Sequence, residues 1–160
     1  MNKPLHIVIL AAGEGTRMRS SRPKMLQPLG GRPMLVHLLE TASGLRPKAV
    51  HVVVGSGADA VVQACGGFGA EWVHQAERRG TGHAVMQAMP GIPDEANVLV
   101  LLGDCPLLPA ALLEQMTDTF RGPLSLLTME LDDPTGYGRI LRDPGGNIIG
   151  IIEHNEAEPE

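Results

Sequence analysis

The chain is poor in aromatic rings, in cysteine and in long apolar runs. Its 160 residues hold two Phe, one Trp and one Tyr, and 13 Lys and Arg stand against 18 Asp and Glu, for a net charge of −5 at pH 7. Nucleic-acid recognition leans on a positive surface and on rings that stack with bases, so no nucleic-acid partner is expected. Two cysteines, Cys65 and Cys105, and an opening Met1-Asn2-Lys3-Pro4 without a long apolar stretch behind it point to a cytoplasmic location. The longest unbroken apolar stretches, such as Val98 to Leu102, have the length of a strand. A bilayer-spanning helix needs roughly 18 to 20 apolar residues, so no membrane span is expected.

What is present is the material of one packed domain. Hydrophobic residues make up 43% of the chain, and a domain of this size buries roughly 70% of the surface its unfolded chain exposes. The 20 glycines and 13 prolines stand at the ends of apolar runs, where they punctuate loops. Short β-branched or leucine-rich runs alternate with segments whose apolar residues recur at three and four, the pattern of repeated βα units around a parallel sheet. Strands are expected at His6 to Leu10, Ala49 to Val54, Glu71 to Val73, Asn97 to Leu102 and Leu124 to Leu131. Helices are expected at Pro33 to Ala42, from Ser56 through Ala64, at Gly82 to Met89 and at Pro109 to Phe120. Arg139 to Arg142 and Asn147 to Ile152 flank Pro144-Gly145-Gly146, which reads as a hairpin that ends a mainly parallel sheet. No linker or repeat stands out, and the tail from His154 to Glu160 has too little apolar surface to fold alone.

In an open parallel sheet, ligands bind beyond the carboxyl ends of the strands. The loop after the first strand, Leu10 through Arg19 and on to Lys24, combines small residues with Arg17, Arg19, Arg22 and Lys24, four of the 13 basic residues within eight positions. Small residues let backbone N–H groups approach a phosphate, and the cations compensate its charge. The alternative is an ordinary glycine-rich turn on a solvated surface. Two phosphate motifs do not fit: a dinucleotide fingerprint needs glycine where Met18 stands, and a P-loop needs Gly-Lys-Ser/Thr, whereas Lys24 lies between Pro23 and Met25. After the most apolar strand comes Gly103-Asp104-Cys105-Pro106. Asp104 offers a hard oxygen suited to Mg²⁺ shared with substrate phosphates, or else it makes an Asx turn ahead of Pro106. Cys105 reads as a packing residue.

Together these segments resemble the N-terminal uridylyltransferase domain of the GlmU family, within the sugar-nucleotide pyrophosphorylases. The shared motifs are Leu10-Ala11-Ala12-Gly13-Glu14-Gly15-Thr16-Arg17-Met18, Pro23-Lys24, Gln75-Ala76-Glu77 and Gly80-Thr81-Gly82-His83-Ala84. Further on come Gly103-Asp104-Cys105-Pro106-Leu107, Asp132 through Ile140 and Ile151-Ile152-Glu153-His154. The resemblance implies a Rossmann-like α/β fold of the nucleotide-diphospho-sugar transferase type. The implied reaction is Mg²⁺-dependent transfer of UMP from UTP to N-acetylglucosamine 1-phosphate, giving pyrophosphate and UDP-N-acetylglucosamine, a precursor of peptidoglycan and lipopolysaccharide.

By motif match, Leu10, Ala12 and Gly13 would cradle the nucleotide, while Gln75, Gly80 and Thr81 would read the uracil. Arg17 and Lys24 would hold the phosphates as catalytic groups, Asp104 the metal, and Gly138 and Glu153 the amino sugar. The residue types suit the reaction, because an ionised phosphate nucleophile needs alignment and charge neutralisation, with no covalent protein nucleophile. Gln75 carries the donor and acceptor that a uracil edge can satisfy, and His83 reads as a capping or packing residue. Leu102 departs from the family, which usually has a tyrosine there. The family's transferase domain runs well past Glu153, and its acetyltransferase β-helix with the trimer interface is not represented, so the chain reads as a truncated piece of a longer protein. Two other readings stand beside this one, a guanylyltransferase of the molybdenum-cofactor type and a non-catalytic nucleotide-binding module.

Overall fold

The computed structural model describes residues 3–13, 15, 18–77 and 79–154. They form two compact units, Met1–Arg121 and Gly122–Glu160, although no linker composition marks the boundary.

The first unit is built on four parallel strands, β1 (Leu5–Leu10), β4 (Ala49–Val54), β5 (Glu71–His74) and β6 (Asn97–Leu102), in the order β5-β4-β1-β6. A strand buried on both faces reads as a nearly continuous apolar run. β1 and β4, Leu-His-Ile-Val-Ile-Leu and Ala-Val-His-Val-Val-Val, are apolar except for one histidine each, and both occupy the middle of the sheet. β6 stands at an edge and buries alternate residues, leaving Val98, Val100 and Leu102 exposed. After β1 two short strands, β2 (Pro28–Leu29) and β3 (Arg32–Pro33), pair antiparallel in a turn that no sequence pattern marks.

Helices cover both faces. α1 (Met34–Gly44) starts directly behind Pro33, where a fixed φ and a missing N–H cost nothing. It buries Leu35, Leu38, Leu39 and Ala42 at helical spacing against Ile7, Ile9, Val52 and Val54. α2 (Ala58–Cys65) and α4 (Ala110–Thr119) add Val61, Cys65 and Leu113 to that core, and full burial of each large aliphatic chain is worth about 1.5–3 kcal/mol. On the opposite face α3 (Thr81–Ala88) lays Ala84 and Ala88 against Val8 and Val53. α3 ends at Ala88 and runs into a 3₁₀ turn, Met89–Gly91, that contains Pro90. No helix among the described residues is long and apolar enough to cross a membrane.

The second unit contains the expected hairpin, β7 (Arg139–Arg142) against β8 (Ile148–Ile152). Its turn is closed by Asp143, whose carboxylate accepts from both the backbone N–H and the side-chain amide of Asn147, each at 2.9 Å. The pair is a two-stranded sheet of its own and does not end the parallel sheet. Residues 124–131, read as a strand, form no regular element. Their alternating apolar pattern suits a half-buried strand, yet Leu124, Leu127, Met129 and Leu131 are all exposed. β-propensity without a neighbouring strand and a face to bury does not make a strand.

Candidate functional site

Because the four strands run parallel, Leu10, Val54, His74 and Leu102 all end at one edge of the sheet. The ladder continues one residue further there. The N–H of Ala11 donates to Val53 O at 2.8 Å, that of Gln75 to Val54 O at 2.8 Å, and that of Gly103 to Leu10 O at 2.9 Å. The order in which strands are added also reverses at β1, with β4 on one side and β6 on the other, which is where open α/β sheets leave a ligand crevice.

Close backbone contact shapes this edge. A Cβ at Gly103 would stand 2.7 Å from Leu10 O and 2.8 Å from Met25 Sδ, so only glycine lets the chain pass here and deliver Asp104. Among the described residues a Cβ at Gly13 would meet no atom within 4 Å beyond its chain neighbours, and Gly13 lines a cavity of about 210 Å³ beyond the strand ends. The cavity wall continues through Ser20 to Met25 and Val54 to Ala58. Of the expected site residues it takes in Gly13 and Lys24, while Leu10, Ala12, Gln75 and Asp104 lie outside its lining.

Lys24 connects the cavity to β6. Pro23 holds its own backbone extended, and the chain then tightens into a 3₁₀ turn, Lys24–Leu26. The Lys24 Nζ donates to Asp104 Oδ2 at 2.6 Å, with the two side chains 22% and 46% exposed. That hydrogen bond holds the Asp104 carboxyl below the usual carboxylate range, against the opposing effect of partial burial. Cys105 is exposed rather than packed. Partial desolvation and the neighbouring Asp104 charge push its thiol up, which disfavours the nucleophilic thiolate. Among the described residues no three His, Cys, Asp or Glu side chains are grouped to enclose a metal ion. A single accessible carboxylate beside a loop of glycine and basic residues fits a divalent cation that takes its remaining ligands from water and substrate phosphates.

At the far side of the same edge, Gln75 is 4% exposed and its Nε2 lies 2.9 Å from His83 Nδ1. Gly80, at φ +93, turns the chain into α3, whose N-terminal N–H groups at Thr81 and beyond therefore open at the strand ends. His83, expected to cap or pack, packs against Gln75 through that contact.

Gly138 and Glu153 come together inside the second unit. A Cβ at Gly138 would lie 3.3 Å from Ile152 O and 3.8 Å from Glu153 Oε2. Arg139 holds the preceding turn by donating to Pro134 O at 2.9 Å and to Tyr137 O. Arg17, with Glu14 and Thr16 of the same motif, lies outside the described residues.

A parallel sheet of this order, with a glycine loop, a lysine and an aspartate at its carboxyl edge, defines a nucleotidyltransferase domain. The chain belongs to the MobA-like NTP transferase domain family, which its residues 7–133 match. It is 54% identical, over 161 residues, to the bifunctional protein GlmU of Xanthomonas euvesicatoria pv. vesicatoria (strain 85-10), covering 100% of this chain and 35% of that protein. It thus spans about a third of the curated relatives it matches, at their N-terminal part. Among solved structures, HddC from Yersinia pseudotuberculosis complexed with GMP-PN aligns with a TM-score of 0.71 at 25% identity, covering 92% of this chain and 68% of that one. Rv0371C from Mycobacterium tuberculosis in complex with manganese aligns with a TM-score of 0.61 at 25% identity, covering 74% and 60%.

Proposed function

We propose that the chain transfers a uridylyl group from UTP to N-acetylglucosamine 1-phosphate with Mg²⁺, releasing pyrophosphate and forming UDP-N-acetylglucosamine. The observation that carries this reading is Lys24 placed 2.6 Å from Asp104 beside a glycine loop, on a chain half identical to a bifunctional GlmU.

A phosphate oxygen of the sugar attacks the α-phosphorus of UTP. A new P–O bond forms, the bond from the α-phosphorus to the bridging oxygen breaks, and pyrophosphate leaves with the electron pair. The incoming phosphate is already ionised, so no protein base is required. Lys24 and Arg17 hold and neutralise the phosphates, and the backbone of Leu10, Ala12 and Gly13 cradles the nucleotide. Asp104 is the protein ligand for Mg²⁺, which when bound supplies further charge neutralisation on the phosphates. Gln75, Gly80 and Thr81 meet the base, and Gly138 and Glu153 take the amino sugar.

HddC, solved with GMP-PN, favours a second reading in which the donor is a guanine nucleotide. Pyrophosphate release, measured with UTP or GTP, with and without the sugar phosphate, and with Mg²⁺ or a chelator, tests both. Release that requires UTP, the sugar phosphate and Mg²⁺ together supports the uridylyl reading. Faster release with GTP replaces it, and nucleotide binding without release in any combination reduces the chain to a binding module.

A further inference from the structure

We propose that His83 is a positioning residue that fixes which end of the Gln75 carboxamide meets the nucleotide base, and thereby sets the preference for uracil over cytosine. This rests on reading Gln75 as the base-reading side chain and assigns what orients it.

A primary amide has two ends of nearly equal shape and opposite hydrogen-bonding character. Uracil presents an N–H at N3 where cytosine presents a lone pair. A glutamine whose carbonyl faces that position prefers uracil, one whose NH₂ faces it prefers cytosine, and one free to turn over accepts both. Selection therefore requires something outside Gln75 to prevent the turn.

His83 stands where that control is needed. Its Nδ1 lies 2.9 Å from Gln75 Nε2, and the Gln75 side chain is almost wholly buried, so water competes little for the bond. With the ring proton on Nε2, Nδ1 accepts from the Gln75 NH₂, and the carbonyl is the end turned away. With the proton on Nδ1 the amide has to reverse. The ring's tautomer is thus read out as the polarity of Gln75.

The other ring nitrogen is watched by Gln87, one helical turn further along α3. Gln87 Nε2 lies 3.3 Å from His83 Nε2 and 3.4 Å from the His83 carbonyl oxygen. A neutral imidazole has one N–H and one lone pair, so it cannot accept from two amides at once. The 2.9 Å contact is the well-formed bond and the 3.3 Å contact is beyond the usual range. Turning the Gln87 carboxamide over gives up its 3.4 Å donation to the His83 carbonyl oxygen, places its oxygen on the Nε2–H and holds the tautomer that Gln75 requires.

Calorimetric titration of the chain with UTP and with CTP, for the parent, His83→Leu, His83→Asn, Gln75→Ala and the Gln75→Ala/His83→Leu pair, tests this. His83→Leu is expected to narrow the UTP-to-CTP ratio by about five- to tenfold, the worth of one buried hydrogen bond. His83→Asn carries an acceptor close to the place of Nδ1 and is expected to restore most of the ratio. The double variant should discriminate no worse than Gln75→Ala alone. If Gln75→Ala collapses the ratio while His83→Leu leaves it intact, the His83 role is overturned and the Gln75 reading survives. If Gln75→Ala leaves the ratio unchanged, or the parent prefers neither nucleotide, the base-reading assignment fails and takes the proposal with it. Equal weakening of both nucleotides by His83→Leu would mark a structural role and overturn the proposal. Should the leucine variant not fold, nitrogen-15 NMR of the parent at pH 8 decides, because a proton found on His83 Nδ1 contradicts the proposed orientation.

Discussion

Lys24 Nζ and Asp104 Oδ2 meet at 2.6 Å across 80 residues of sequence, joining the loop behind β1 to the end of β6. The cation and anion assigned to phosphate and metal thus satisfy each other in the free protein. A partly exposed pair of this kind contributes roughly 0–1 kcal/mol to stability, so its main effect is to hold both groups at the carboxyl edge, ready to part when charged ligands arrive. A phosphate would draw Lys24 away and free Asp104 for the cation, which couples nucleotide and metal binding.

That coupling makes Lys24→Ala informative. Turnover is expected to fall by more than UTP affinity, because charge on the α-phosphate grows towards the transition state. With its competitor gone, Asp104 is also expected to bind Mg²⁺ more tightly when no nucleotide is present. Parallel metal titrations of parent and variant check the second effect, and unchanged or weaker binding of Mg²⁺ alone would show that the ion pair exerts no such control.

Asp104→Asn keeps the side chain's shape and removes its charge. Asp104 lies beyond β6 with its side chain 46% exposed, so the thermal midpoint is expected to stay close to the parent's. Mg²⁺-dependent pyrophosphate release should fall by about a hundredfold or more. An Asx-turn aspartate would behave in the opposite way, lowering the melting point and leaving the metal dependence as it was.

Gly103→Ala tests the route by which the backbone delivers Asp104. The added methyl would sit 2.7 Å from a backbone oxygen, Leu10 O, which cannot swing aside as a side-chain tip can. Overpacking of this kind costs about 1–3 kcal/mol, and relief by moving β6 away from β1 would carry Asp104 with it. The variant is expected to lose both stability and turnover in melting and pyrophosphate assays. A variant as stable and active as the parent would show that the edge yields.

Much of this was legible because the strands of the parallel sheet are mostly apolar runs, including β6, which buries only alternate residues at its edge. The runs at Ala49 to Val54 and Asn97 to Leu102 correspond to β4 and β6 residue for residue, and glycine, lysine and aspartate follow the strands where a parallel sheet collects its ligands. What was not legible depends on partners distant in sequence. The segment at 124–131 has strand composition but no strand beside it. The contact between His83 and Gln75 joins a helix to the residue after β5, and no periodicity reports it. The buried pair of His6 and His51 was equally hidden, since each alone looks like a polar interruption of an apolar strand.

Those histidines give the chain a predictable weakness in acid. His51 is 1% exposed, with Nδ1 lying 3.1 Å from Glu71 Oε2 and Nε2 lying 3.0 Å from His6 Nδ1, while His6 Nε2 is buried with no hydrogen-bond partner among the described residues. Burial lowers the His51 pKa from 6.5, the Glu71 charge opposes this, and His6 adds a further lowering. Between the depressed folded value and 6.5 the unfolded chain therefore binds the proton more readily. The stability that neutral His51 contributes is present above about pH 6.5 and is lost as the pH falls through the folded value, with a slope of at most about 1.4 kcal/mol per pH unit for one proton. Asp104, Asp133 and Asp143 are held below the ordinary carboxylate range and titrate at lower pH, outside this window. His51→Gln retains a hydrogen-bonding side chain without the titration. Melting curves between pH 7.5 and about pH 5 should show the parent losing midpoint steadily and the variant, though less stable at neutral pH, losing less of it. Equal slopes for the two proteins would place the acid sensitivity in another group.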